Sequence, residues 1–76
     1  MNNQKRKQLS KLMDTLYDVK EEISSLLEEE RKAFDNIPES LREAEKNLYM
    51  RSGIDDLEDA ISSIDVAIQA IEGASL

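Results

Sequence analysis

Cysteine and histidine are both absent from this 76-residue chain, and each absence excludes a kind of chemistry. Without cysteine there are no disulfide bonds, and without either residue there are no thiolate or imidazole ligands for a metal ion. Without histidine there is no imidazole base for a nucleophilic triad, and a two-helix hairpin has little interior in which to shift the pKa of a lysine or glutamate. We therefore expect no metal, no cofactor and no catalytic residues, and predict a protein that is not an enzyme.

Glycine and long apolar runs are also scarce. The only two glycines, Gly53 and Gly73, are too far apart to form a phosphate-binding loop. No apolar run approaches the length of a membrane span, and the opening MNNQKRKQLSKL lacks the apolar stretch of a secretory signal. We therefore expect a cytoplasmic protein that does not contact a membrane.

The residues that are present have the pattern of packed helices. Hydrophobic residues make up 39% of the chain and charged residues 36%, which is too apolar for a disordered protein. Two apolar stripes recur in steps of three and four residues, the spacing of a heptad seam. We predict that these stripes form the core of an oligomer: Leu9, Leu12, Leu16, Val19, Ile23 and Leu26, then Ile54, Leu57, Ile61, Ile64, Ile68 and Ile71.

The first stripe is wider than a two-stranded seam requires. Met13, Leu27 and Phe34 lie on one flank, as expected for a helix in a bundle. The next seam position after Leu26 is Glu30, a polar residue near the end of the first helix.

The only proline, Pro38, separates the two stripes. A proline disfavours helical geometry in the residue before it, so the first helix should end near Asp35 or Asn36. Asn36 tolerates the left-handed conformation that closes many helices, and Pro38 suits the first turn of the next helix.

Two capping patterns and a shift in the apolar spacing, which we call the phase slip, indicate where the second helix begins and where it changes its neighbours. Ser40 with Glu43, and Asn36 with Glu39, have the spacing of a capping box. The apolar residues before Ile54 are out of register with the second stripe, and the segment between them, YMRSGID, contains a glycine. We favour a continuous helix whose apolar side faces a different neighbour on either side of this segment.

These signals predict one domain, residues 1–76, of the all-α class. Its segments are helix 1 at about 3–35, a turn at about 36–39 and helix 2 at about 40–73. Because a short connection makes consecutive helices antiparallel neighbours, we predict a two-helix hairpin. So small a chain has difficulty burying a core alone, so we predict self-association, most simply as a dimer forming a four-helix bundle.

The charges are unevenly distributed along the chain. Lys5, Arg6, Lys7 and Lys11 precede any acidic residue, and no base follows Arg51. Antiparallel pairing would place this basic N-terminus beside the acidic final third. The net charge of -7 argues against direct binding of nucleic acid, which requires clustered bases.

Three binding functions remain open at this point. The first is an interaction module whose connection or outer helix faces engage another protein. The second is an acidic mimic that blocks a DNA- or RNA-handling enzyme, with a face formed by Asp55, Asp56, Glu58, Asp59 and Asp65. The third is an oligomer whose basic N-termini meet and sequester a nucleotide through Lys5, Arg6 and Lys7.

Neither acidic cluster has the pattern of a metal site. Glu28–Glu30 lacks the Glu-x-x-His partners of di-metal bundles. Residues 55–59, DDLED, lack the internal glycine and terminal glutamate of a calcium loop. We predict that both clusters lie on solvent-exposed faces of the helices.

The segments EEERKAFDNIPESLREAEK and IDDLEDAISSIDVAIQAIE resemble small acidic helical-hairpin proteins of bacteria, mostly Gram-positive, and of their phages and prophages. The resemblance is concentrated in AFDNIPESL, and here RSG replaces a glutamate-rich stretch before ID. It implies an accessory role in the host cytoplasm, such as inhibiting a host defence system by binding a macromolecular partner. The candidate partner-binding residues are Phe34, Asp35, Asn36, Ile37, Pro38, Glu39 and Arg42.

Overall fold

Two long helices and a short connection make up the computed structural model, which describes all 76 residues. Helix α1 spans Asn3–Asp35 and helix α2 spans Glu45–Ala74, with a 3₁₀ helix at Glu39–Leu41 between them. The helices contact each other along a rod of 58 × 15 × 13 Å, and there are no strands. This architecture agrees with the predicted all-α hairpin.

Helix α1 has the predicted bounds, and its ends are closed by local hydrogen bonds. The side chain of Asn2 accepts a hydrogen bond from the Lys5 backbone N–H at 2.8 Å, which caps the first turn. At the other end, Asn36 has φ -78° and ψ -10°, so it does not adopt the left-handed conformation that asparagine tolerates. The Asn36 N–H still bonds to the Lys32 carbonyl at 3.1 Å, and the helical ladder therefore ends without a positive φ.

Helix α2 begins later than predicted, at Glu45. Pro38 is extended, with φ -53° and ψ 138°, and precedes the 3₁₀ helix rather than starting α2. The N-cap of α2 is Ala44, which has no side-chain cap, so the capping boxes predicted at Ser40 and Asn36 do not cap it. The reason is that residues 39–44 are closed by tight backbone turns, including Leu41 N to Pro38 O at 2.8 Å and Ala44 N to Leu41 O at 3.1 Å.

Two interhelical ion pairs show the register of the hairpin. The Lys20 ammonium lies 2.6 Å from an Asp65 carboxylate oxygen, and the Arg31 guanidinium pairs with Glu58. Leu76 is the eleventh residue after Asp65, so it lies about level with the eleventh residue before Lys20, which is Leu9. Residues 3–8 of α1 therefore extend past the end of α2, and we call them the N-terminal arm.

At the other end of the hairpin, the start of α2 extends past the end of α1. Counting from the Arg31–Glu58 pair places Asp35 about level with Ile54, so residues 45–53 lie beyond the end of α1, where Asn47 bonds to the Leu41 carbonyl of the connection. This change of neighbour explains the phase slip in the sequence. Helix α2 runs unbroken through Gly53, as predicted.

Gly53 offers a direct test of this geometry. A Cβ added there meets no heavy atom within 4 Å, and the residue lies inside a continuous helix. We expect Gly53→Ala to raise the free energy of unfolding by about 1 kcal/mol, because alanine loses less backbone entropy on folding. Urea denaturation of the two proteins measures this, and a destabilised variant would contradict an unstrained helix at this position.

The interior of the hairpin is very small. Only Leu27, Ile54 and Ile68 among the hydrophobic residues are buried, at 5%, 8% and 3% exposure. The sequence pattern places Leu27 on a flank of the first stripe, but Leu27 contacts the other helix while its neighbour Leu26 is 55% exposed. The apolar arc of α1 is wider than one partner helix covers, and α2 packs on the Leu27 side of it.

Candidate functional site

An apolar face remains open along one side of the hairpin. On α1 it contains Leu12, Val19 and Leu26, which are 55%, 39% and 55% exposed and lie seven residues apart. On α2, helical spacing places Leu57, Ile64 and Ile71 on the same side, and all three are half-buried. We call these six residues the open face.

The opposite side of the hairpin is polar. The Lys20–Asp65 and Arg31–Glu58 ion pairs bridge the helices there. On α2, Glu58 and Asp65 flank Ile61 on one side, whereas Leu57 and Ile64 flank it on the other. The hairpin is thus two-sided: ion pairs close one side, and nothing in the chain covers the other.

The acidic face proposed for a nucleic-acid mimic is divided by these ion pairs. Glu58 and Asp65 are neutralised by bases of α1, which leaves Asp55, Asp56 and Asp59 as its exposed acids without an ion pair. A row of three carboxylates on a single helical turn or so is short for a mimic of a phosphate backbone.

The basic residues of the N-terminus lie on the arm. Lys5, Lys7 and Lys11 are exposed and form no ion pair within the hairpin. Arg6 reaches back to the end of α2, where its Nη2 donates to the Leu76 carbonyl at 3.4 Å. The predicted pairing of the basic N-terminus with the acidic final third is therefore not the interaction that joins the helices, because the arm lies beyond the acids of α2.

The connection is held together by Arg42. Its Nε donates to the Ile37 carbonyl and its Nη2 to the Asp35 carbonyl, both at 3.2 Å. Its guanidinium carbon also lies 5.7 Å from the centre of the Phe34 ring, within cation–π range. Arg42, Phe34 and Ile37 are half-buried, so they shape the connection as well as lining it.

The structure brings all seven predicted partner-binding residues to this end of the hairpin. The exposed members of the set are Asp35, Asn36, Pro38 and Glu39. Beside them is a shallow groove of about 500 Å³, whose apolar lining is Ala33, Ile37, Pro38, Leu41 and Met50. Asn47, which is buried, forms part of its wall and donates from Nδ2 to the Leu41 carbonyl at 2.6 Å.

Sequence reasoning missed two residues at this end. Leu41 is 54% exposed at the groove, and Tyr49 is 71% exposed nearby on α2. The phase slip in the sequence could have identified them. Apolar residues that belong to neither stripe do not pack in the interface between the helices, so they are expected on the surface. Together with the predicted set, they make the connection end a mixed polar and apolar surface.

Removing the Arg42 guanidinium should loosen the connection. We expect Arg42→Met to lower the free energy of unfolding by about 1–2 kcal/mol, because two hydrogen bonds and the contact with Phe34 are lost. Arg51→Met is the matched control, since Arg51 is exposed and makes no ion pair or side-chain hydrogen bond. Equal urea denaturation curves for the two variants would contradict this role of Arg42.

No group of three or more acidic side chains is arranged to hold a metal ion. Neither helix combines the length and the apolar character that crossing a bilayer requires. Comparisons of the chain with protein-family models, with curated proteins and with solved structures found no match.

Proposed function

We propose that this protein is a non-enzymatic interaction module that dimerises through its open face and binds a macromolecular partner with its connection end. The observation that carries the proposal is the small interior: four of 76 residues are buried, while half of the first apolar stripe faces outward. A chain with this composition has more apolar surface than its own fold covers.

The surface area supports a second copy. The chain exposes 5801 Å², whereas a compact monomer of 8.7 kDa exposes about 4,700 Å². The excess, about 1,100 Å², is similar to the roughly 800 Å² that each partner buries in a stable protein–protein interface. Docking of a second hairpin on the open face would remove this excess and complete a four-helix bundle.

The connection end supports binding of a macromolecule rather than a small metabolite. Its groove is shallow and open, and exposed residues around it are both apolar and charged, including Leu41, Tyr49, Glu39 and Lys46. Such a surface resembles the mixed composition of protein–protein contacts. The resemblance to phage-associated hairpins favours a bacterial protein as the partner, and inhibition of a defence protein as the role.

Affinity capture from a bacterial lysate tests this function. Wild-type protein should recover one protein in stoichiometric amount, and Leu41→Glu should lose it because a charge replaces the exposed apolar contact at the groove. Val66→Glu is the matched control, since Val66 is 64% exposed on α2 and lies outside the groove and the open face. The proposal fails if wild-type protein and Leu41→Glu recover the same set of proteins.

A further inference from the structure

The open face has charges of opposite sign at its two ends on α1. The three- and four-residue spacing of the first apolar stripe continues backward from Leu9 to Lys5 and forward from Leu26 to Glu30. Both charged residues are exposed and form no ion pair within the hairpin. They lie at equal distances from the midpoint of the stripe, which falls between Leu16 and Val19.

Two symmetric arrangements would cover the open face with a second copy. A twofold axis parallel to the helices places both connections at the same end, and the two N-terminal arms then extend side by side. Their six bases, Lys5, Arg6 and Lys7 from each copy, would lie together without an acid in either arm. Because like charges repel each other, this arrangement is electrostatically unfavourable.

A twofold axis perpendicular to the helices has the opposite effect. It stacks α1 on the other copy's α1 in antiparallel orientation, with the axis passing between Leu16 and Val19. Lys5 of each copy then lies opposite Glu30 of the other, and Leu12 and Leu26 lie opposite Ile23 and Leu9. Of the three glutamates Glu28–Glu30, only Glu30 lies on this side of α1, because consecutive residues of a helix point about 100° apart, and Glu28 pairs with Lys32 instead.

The antiparallel arrangement also covers the arm. No residue of α2 lies beside residues 3–8, because α2 ends at Ala74, about level with Lys11. The C-terminal third of the other copy's α1 would lie against the arm on the side of the open face. We propose that two hairpins pack antiparallel through the open face, so that Lys5 in the N-terminal arm of each lies against Glu30 of the other.

This inference rests on the proposed dimer, and a distance measurement separates the two. The chain has no cysteine, so Gln4→Cys provides a single site for a nitroxide label on the arm. Electron–electron double resonance should give a distance of about 40 Å between labels, from the helical rise over the residues that separate each label from the axis. A distance within about 25 Å, the span across a four-helix bundle, would overturn the antiparallel arrangement and leave the dimer intact. Absence of any dipolar coupling between labels would overturn both.

Charge reversal provides a second readout that does not depend on a label. Each antiparallel dimer contains two Lys5–Glu30 pairs. We expect Lys5→Glu to weaken dimerisation several-fold, because it places two glutamates opposite each other in both pairs. Glu30→Lys should have the same effect, because it places two lysines opposite each other. Combining both substitutions in one chain restores opposite charges only in the antiparallel arrangement, so the double variant should recover most of the wild-type dissociation constant. A double variant that dimerises no better than the weaker single variant would contradict the inference.

Discussion

Val19→Glu should convert the protein from a dimer to a monomer at micromolar concentration. Val19 lies near the centre of the open face and next to the proposed twofold axis, so two glutamates would enter one interface close to each other. Burial of an unpaired carboxylate costs about 3–5 kcal/mol, which corresponds to a dissociation constant weaker by a factor of about 100 to 4,000. Sedimentation velocity over a concentration series measures this shift.

The control for this experiment is Val66→Glu. It makes the same chemical change on α2, at a residue that is 64% exposed and away from the open face. We expect its dissociation constant to match that of the wild type. If the two variants dissociate to the same extent, the open face is not the interface.

The second large effect is expected from Ile68→Ala. Ile68 is the most buried residue of the chain, with 3% of its surface exposed, and it packs against α1. Truncation of a buried isoleucine costs about 2–5 kcal/mol, through lost apolar burial and the cavity left behind. Because only three hydrophobic residues are buried within the hairpin, we expect a large part of its stability to be lost, with a much lower urea midpoint.

Val66→Ala is the matched comparison for this truncation. It also shortens a β-branched side chain on α2, but its side chain is largely in solvent, so the free energy of unfolding should change by less than about 0.5 kcal/mol. Similar urea midpoints for the two variants would show that α2 does not pack against α1 through Ile68.

Much of this fold could be predicted from the sequence, because its strongest signals are local. The period of the leucines from Leu9 onward and the single proline predict the extent of α1, which ends at Asp35. The start of α2 could not be predicted in this way. Ser40 and Glu43 have good capping chemistry, but tight turns and the Arg42 hydrogen bonds hold these residues in the connection instead.

The rotation of α1 about its own axis is the other feature that could not be predicted from the sequence. Leu26 and Leu27 are adjacent and equally apolar, and only the packing of α2 decides that Leu27 is buried while Leu26 faces outward. Candidate site residues at the connection were predicted as a group, because proline, asparagine and aspartate mark a turn. Tertiary contacts decide which of them are exposed, and they bring Leu41 to the same groove.

The claim on which this account depends is that one hairpin does not bury its own apolar surface. Sedimentation equilibrium of the unmodified protein at micromolar concentration is the most direct test. We predict a mass of twice the 8.7 kDa chain, decreasing toward the single-chain mass on dilution. A stable, folded particle with the mass of one chain throughout that range would contradict it.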